Sequence, residues 1–168
     1  MAPTCSVFEI ESEFMSVGSR SGVARNNAVP DAVVPSRAGK RILLAEDNVV
    51  NEKVATRFLE KLGYVVHAVP NGREAVDAWA RGGYDLVLMD CQMPVLDGYA
   101  ATREIRAREN GGSRIPIVAL TANAMKKDEL ECRQAGMDGH LAKPLDREAL
   151  ALCLAQHLDA ELSTAANG

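Results

Sequence analysis

Asp90 closes a short apolar run, residues 86–89, that is too brief for a helix and suits a strand covered on both faces. A carboxylate placed there is costly to bury without a partner or a metal. Other reactive side chains fall at the ends of other apolar runs. Glu46 and Asp47 follow residues 42–45, Thr121 follows 115–120, and Lys143 follows 140–142. If these runs are parallel strands of one sheet, their carboxyl ends share the crevice where such sheets bind ligands. Three carboxylates then converge. Two unit charges about 5 Å apart repel by roughly 3 kcal/mol at an effective dielectric of about 20, so three demand a cation. All-oxygen ligands with room left for water suit Mg²⁺. Asp47, Asp90 and the backbone carbonyl near Gln92 are the expected ligands, with Glu46 reaching the ion through water. A carboxylate beside such an ion can act as a nucleophile toward phosphorus and form an aspartyl phosphate. Lys143 then supplies a fixed positive charge to one phosphoryl oxygen, and Thr121 donates a hydroxyl hydrogen bond to another.

The elements that must position these groups alternate regularly from Arg41 onward. Strands are expected at 42–45, 64–69, 85–90, 115–120 and 140–142. The helix after the first strand carries Val50, Val54, Phe58 and Leu62 at helical spacing and stops at Gly63. Asn71 can cap a second helix bearing Ala75, Val76 and Trp79, closed by Gly82 and Gly83. A third covers 99–110 with Ala101 and Ile105 facing inward, and a fourth runs from about 125 to 135. Asp146 can cap a fifth, on which Leu150, Leu154 and Leu158 share one face. Five such units predict an α/β fold. The expected solution is a five-stranded parallel sheet with right-handed crossovers and helices on both faces; the flavodoxin-like order 2-1-3-4-5 is one such arrangement, which element order alone does not separate from other doubly wound sheets.

Residues 1–40 differ. They contain no leucine, and Gly, Ser, Asn and Pro punctuate 16–39, which reads as a flexible arm or linker. Phe8-Glu9-Ile10-Glu11 alternates as a strand does but has no expected neighbour to pair with. The expected domain covers 41–160, with a flexible tail at 161–168. The arm balances four acids (Glu9, Glu11, Glu13, Asp31) against four bases (Arg20, Arg25, Arg37, Lys40), so the net charge of −4 lies wholly in the rest of the chain. That disfavours nucleic acid as a direct partner. Cys5, Cys91, Cys132 and Cys153 are scattered, which suggests neither a zinc site nor a disulfide framework and fits a reducing cytosol. No apolar run approaches the ~18 residues of a membrane span, so no membrane contact is expected of this segment.

Four segments carry a family resemblance. They are Ile42-Leu43-Leu44-Ala45-Glu46-Asp47-Asn48; Leu88-Met89-Asp90-Cys91-Gln92-Met93-Pro94-Val95-Leu96-Asp97-Gly98; residues 115–122; and Gly136-Met137-Asp138-Gly139-His140-Leu141-Ala142-Lys143-Pro144-Leu145. Together and in this order they resemble the receiver domain of two-component signalling, most closely the receivers of hybrid sensor histidine kinases. The resemblance implies an acidic pair at Glu46 and Asp47, a phosphoacceptor at Asp90, a switch hydroxyl at Thr121 and a phosphate-binding lysine at Lys143. The family often places an aromatic rotamer switch three residues before that lysine; here the position is His140. The implied switch draws Thr121 toward the phosphoryl oxygens and lets His140 move inward. The surface of the fourth helix, fifth strand and fifth helix then changes shape for a protein partner. Gln92 and Asn123 flank the path of an attacking water and are candidates for setting the phosphate's lifetime.

The expected function is therefore a phosphoacceptor in a histidine-to-aspartate phosphorelay. It catalyses only its own phosphorylation and dephosphorylation. The expected partners are a histidine kinase or a histidine phosphotransfer protein, and the expected location is the cytoplasm or the cytoplasmic part of a membrane-bound hybrid kinase. Two alternatives stand beside it. A Mg²⁺-dependent phosphohydrolase with an aspartyl nucleophile wants a second Asp at the position of Gln92. A module that is never phosphorylated has no use for the complete set of reactive residues.

Overall fold

The computed structural model describes residues 6–7, 39–123 and 125–158. Their strands are β1 (Ser6–Val7), β2 (Arg41–Ala45), β3 (Val65–Val69), β4 (Leu86–Asp90), β5 (Ile117–Thr121) and β6 (Gly139–Ala142). The helices are α1 (Val49–Lys61), α2 (Gly72–Arg81), α3 (Gly98–Arg108), α4 (Lys126–Ala135) and α5 (Arg147–Leu158). They build one sheet in the order β1-β6-β5-β4-β2-β3. The strands β2 to β6 are mutually parallel and reproduce the expected 2-1-3-4-5 order. The pairing of β1 with β6 is antiparallel and was not foreseen.

Period-two alternation divides the central strands between two cores. Ile42, Leu44, Leu86, Leu88, Val118 and Leu120 face α1 and α5, where they meet Ala55, Leu59, Leu150 and Leu154. Leu43, Ala45, Val87, Met89, Ile117 and Ala119 face the other way, against Ala75, Val76, Ala101 and Ile105. Both faces are covered, which is why the strands read as unbroken apolar runs. With so few aromatic residues, the packing is almost entirely aliphatic.

The capping chemistry explains where helices begin. Asn71 accepts from the Glu74 amide at 2.9 Å, and Asp146 accepts from the Ala149 amide at 3.0 Å. Asn48 takes the Val50 and Asn51 amides, and Asp97 takes that of Ala100. The inward face of α1 needs correction. Phe58 and Leu62 are partly buried, but Val50 and Val54 are 69% and 39% exposed, and the fully buried positions are Ala55 and Leu59. A strict four-residue repeat drifts around a helix of 3.6 residues per turn, so Val50 and Phe58 cannot both face the sheet squarely. Cys153 on α5 is disulfide-bonded, which the scattered cysteine spacing did not suggest.

The loop from β4 to α3 is tightly folded. Val95 has φ of 70°, and the Leu96 amide donates to the Pro94 carbonyl at 2.7 Å, which makes a γ-turn of the rare strained kind. Two glycines hold this turn in place. A Cβ on Gly98 would lie 2.1 Å from the Asp90 carbonyl oxygen, and one on Gly72 would lie 2.3 Å from that of Leu96. Their amides donate to Cys91 and Leu96 respectively, both at 3.1 Å. Backbone approach this close tolerates no side chain. Gly98→Ala is expected to cost about 2–3 kcal/mol in denaturant titration, because the loop must move to make room. Val95→Asn, at an exposed position with positive φ, is expected to raise stability by about 1 kcal/mol in the same measurement.

Candidate functional site

The sheet register brings the chosen side chains to one edge. Ala45 lies opposite Met89, Asp90 opposite Leu120, and Thr121 opposite Ala142. Glu46 and Asp47 emerge just past β2, Asp90 and Thr121 are the last residues of β4 and β5, and Lys143 follows β6. The Lys143 amide donates to the Thr121 carbonyl at 2.7 Å, which ties the two chain segments together beyond the strand ends. These five residues line one open cavity of about 250 Å³, together with Gln92 and Asn123.

Carboxylate oxygens of Glu46, Asp47 and Asp90 all lie within 4.8 Å of one another. Glu46 and Asp90 are only 2% and 5% exposed, whereas Asp47 faces solvent. The Lys143 ammonium bridges the buried pair, 2.9 Å from Asp90 Oδ2 and 2.9 Å from Glu46 Oε2. Glu46 Oε1 also accepts from the Asn48 amide at 3.2 Å and from Asn51 Nδ2 at 3.4 Å. Asp90 Oδ1 accepts from the Gln92 amide at 3.2 Å. The set is all oxygen and doubly anchored, and it opens toward water. It can hold a hard divalent cation with solvent completing the shell.

The titration of the pair follows from who faces whom. Burial pushes the Asp90 carboxyl above its ordinary range; the hydrogen bond from Lys143 opposes this, and the charge of Glu46 adds to it. Burial pulls the Lys143 ammonium down, but its bonds to Asp90 and Glu46 outweigh that and leave it raised. The two directions are compatible, because the lysine gains from two anions while Asp90 has one cation and a like-charged neighbour.

Thr121 Oγ1 donates to the Asn123 carbonyl at 2.5 Å, so its hydroxyl is engaged within its own loop. His140 does not line the cavity. It lies within β6 opposite Ala119 and is 7% exposed, so it is already inside and has no inward swing from solvent to make. Burial lowers its pKa, against the raising influence of Glu129. The lining residues not anticipated include Asn48, Asn51, Cys91, Tyr99 and Asp128. The signal for Asn51 was its place one helical turn after Asn48. Asp128 sits in the first turn of α4 within a run that reads as a solvated face, and nothing marked Tyr99. Behind the acidic loop, the Cys91 and Cys132 thiols approach to 3.9 Å.

This geometry coincides with a match of residues 42–155 to the family model of the response regulator receiver domain. The chain belongs to that family. As a receiver it is 44% identical over 124 residues to the peroxide stress-activated histidine kinase mak1 of Schizosaccharomyces pombe, a match covering 71% of this chain and 8% of that protein. It is 43% identical over 149 residues to histidine kinase 1 of Arabidopsis thaliana, covering 68% and 12%. It thus spans about a tenth of the length of these curated relatives. Among solved structures it resembles the receiver domain of sensor histidine kinase PA1611 from Pseudomonas aeruginosa, which holds a magnesium ion in its active-site cleft. That match has 53% identity and a TM-score of 0.67, covering 73% of this receiver and 99% of that chain. It also resembles the receiver domain of Ssk1 from Saccharomyces cerevisiae, solved with the phosphotransfer protein Ypd1. There the identity is 33% and the TM-score 0.70, covering 74% and 92%.

The raised Asp90 carboxyl makes a stability prediction. A folded-state pKa above the unfolded value means that ionising Asp90 weakens the fold, so the penalty is fully present above the folded value and vanishes below the unfolded one. Asp90→Asn is therefore expected to melt at a higher temperature than wild type at pH 7. The gain should shrink as pH falls through the carboxylate range. Equal melting temperatures across that range, by calorimetry without divalent ions, would contradict the assignment.

Proposed function

We propose that residues 41–160 act as a Mg²⁺-dependent phosphoacceptor in a histidine-to-aspartate phosphorelay. The observation that carries this is the convergence of three carboxylates on a lysine that bridges the two buried ones. In this reading Asp90 is the nucleophile. One of its oxygens forms a bond to phosphorus as the phosphorus–nitrogen bond of a donor imidazole breaks, and the electron pair returns to that nitrogen. A bound Mg²⁺ would offset charge between the attacking carboxylate and the phosphoryl oxygens, held by Asp47, Asp90 and the Gln92 carbonyl, with Glu46 in support.

Lys143 and Thr121 change partners in the process. Lys143 releases Asp90 and turns to a phosphoryl oxygen, retaining Glu46. Thr121 leaves the Asn123 carbonyl for another oxygen, which frees the loop after β5. His140, next on the adjoining strand, would transmit this as a repacking within the core. The surface of α4, β6 and α5 would then change for a partner, and exposed Met125, Leu130 and Leu152 give it apolar contacts. Gln92 and Asn123 at the cavity rim would set how readily water reaches the phosphoryl group.

The donor must bring its imidazole to Asp90, so its carrier has to cover the cavity mouth. Exposed Val49, Val50 and Val54 on α1 flank that mouth and suit the apolar surface of a histidine kinase or a histidine phosphotransfer protein. The reaction on Asp90 is the only one this site is proposed to catalyse, in the cytoplasm or on the cytoplasmic side of a larger kinase. No helix among the described residues is long and apolar enough to cross a membrane.

Acetyl phosphate with Mg²⁺ is expected to add one phosphoryl group, measured by intact mass, and chelation or Asp90→Asn should abolish it. Lys143→Ala should slow the addition by about a hundredfold, as loss of a charge-stabilising donor does. With beryllofluoride and Mg²⁺, NMR shifts are expected at the cavity and across α4, β6 and α5. Thr121→Ala should retain the first set and lose most of the second. Steady phosphate release without an accumulated adduct would instead indicate a hydrolase.

A further inference from the structure

The cavity beside Asp90 has in its wall a pair of thiols that the phosphoryl chemistry does not use. Cys91 and Cys132 are both buried and both free, and their sulfurs lie 3.9 Å apart. The contact joins the loop after β4 to the middle of α4. The Tyr99 hydroxyl hydrogen-bonds to both sulfurs. Cys91 and Tyr99 line the cavity of about 250 Å³, so a molecule little larger than water meets the pair from the side of Cys91. A single buried thiol behaves as a small, inert hydrophobe. Two thiols in contact, at the wall of an open cavity, can be joined by one two-electron oxidation.

The two ends of this contact are held unequally. The Cys91 amide donates to the Leu120 carbonyl, and the Cys91 carbonyl accepts from the Gly98 amide, both at 3.1 Å. A Cβ on Gly98 would lie 3.0 Å from the Cys91 Cα, so the loop has little room to shift. The helix is held more loosely. Its N-cap, Met125, makes no side-chain cap hydrogen bond, and only Cys132 and Ala135 are buried within it. Sulfurs in a disulfide lie about 2 Å apart, so the pair must close by about 2 Å. That movement falls on the Cys132 side chain and on α4. Cys132 is also the readier nucleophile. The hydrogen bond from Cys91 lowers its pKa, burial opposes this, and the hydrogen bond from Tyr99 adds to the lowering.

We propose that Cys91 and Cys132 form an oxidation site for small hydroperoxides, in which the cavity beside Asp90 admits the oxidant and the resulting disulfide fastens α4 to the loop that follows Asp90. Hydrogen peroxide is the simplest such oxidant. The Cys132 sulfur, its proton passed to solvent, attacks one peroxide oxygen. The O–O bond breaks, a sulfenic acid forms, and the departing hydroxide takes up a proton as water. The Cys91 sulfur then attacks the Cys132 sulfur. The S–S bond forms, the S–O bond breaks, and the hydroxyl leaves with the Cys91 proton as a second water. Two thiols are oxidised and one peroxide is reduced to two waters. One of the two side chains that anchor α4 thereby becomes a covalent tether. The helix that presents exposed Met125 and Leu130 is then fixed in place whatever the state of Asp90.

The test uses the full chain and needs no phosphorylation, so it stands apart from the phosphoacceptor reading. The reduced protein is treated with a small excess of hydrogen peroxide, unfolded, alkylated with iodoacetamide and mapped by peptide mass. The expected result is a Cys91–Cys132 cross-linked peptide, with both residues alkylated again after dithiothreitol. Hydrogen exchange on the folded protein should show the amides of residues 129–135 exchanging on the order of tenfold more slowly after oxidation, and recovering on reduction. In Cys132→Ser, peroxide should leave exchange in α4 unchanged. The wild-type comparison before and after peroxide does not depend on how well that variant folds. Alkylation of both Cys91 and Cys132 after peroxide would overturn the proposal. So would sulfinic or sulfonic acid at either residue without the cross-link, a disulfide from either to another cysteine, or unchanged exchange at 129–135 in the cross-linked protein.

Discussion

The structure depends on a contest between like charges. Glu46 and Asp90 are withdrawn from water at adjacent strand ends, with Asp47 at the rim, and a single ammonium group stands between the buried two. Taking two carboxylates out of solvent side by side is unfavourable on both counts, burial and repulsion. Lys143 offsets enough of that cost to keep them there. The same arrangement explains why the site is reactive. Burial and the neighbouring Glu46 disfavour the charged form of Asp90, and its lysine is shared and so easily given up to a better partner.

Holding such a contest in place requires a rigid frame, and the parallel sheet supplies it. The pairings that set Ala45 beside Met89 and Thr121 beside Ala142 place the reactive side chains without any of them having to search. The central strands β2, β4 and β5 are locked on both faces by aliphatic packing, so a shift of one residue would turn a whole core face toward the wrong helices. The strain gathers elsewhere, in the loop after Asp90. There a positive φ at Val95 persists because glycines at 72 and 98 let the backbone pack against that loop from two sides.

The reactive residues were legible because their types and positions were jointly improbable: acids, a hydroxyl and a lysine, each just past an apolar run. Helix starts were legible wherever Asn or Asp preceded an amphipathic stretch, as at Asn71 and Asp146. The inward face of α1 was less so. Its valines share a spacing with Phe58 and Leu62, but a four-residue repeat drifts around the helix and turns Val50 and Val54 toward solvent. Asn51, Tyr99 and Asp128 were missed as cavity residues because polar and aromatic side chains at helix starts have many ordinary uses. His140 was legible as a position but not as an environment, since burial is decided by what packs around a strand.

By itself the sequence determined the order of strands and helices from residue 41 onward, the class of doubly wound parallel sheet, and the identity of the charged groups at the strand ends. These follow from local pattern and chain connectivity, which are properties of neighbours along the chain. Only the tertiary structure decided that Lys143 bridges Glu46 and Asp90, that Thr121 is turned toward its own loop, and that a short N-terminal strand completes the sheet beside His140. Those are contacts between residues far apart in sequence. Their geometry depends on strand register and helix packing, which no local pattern encodes.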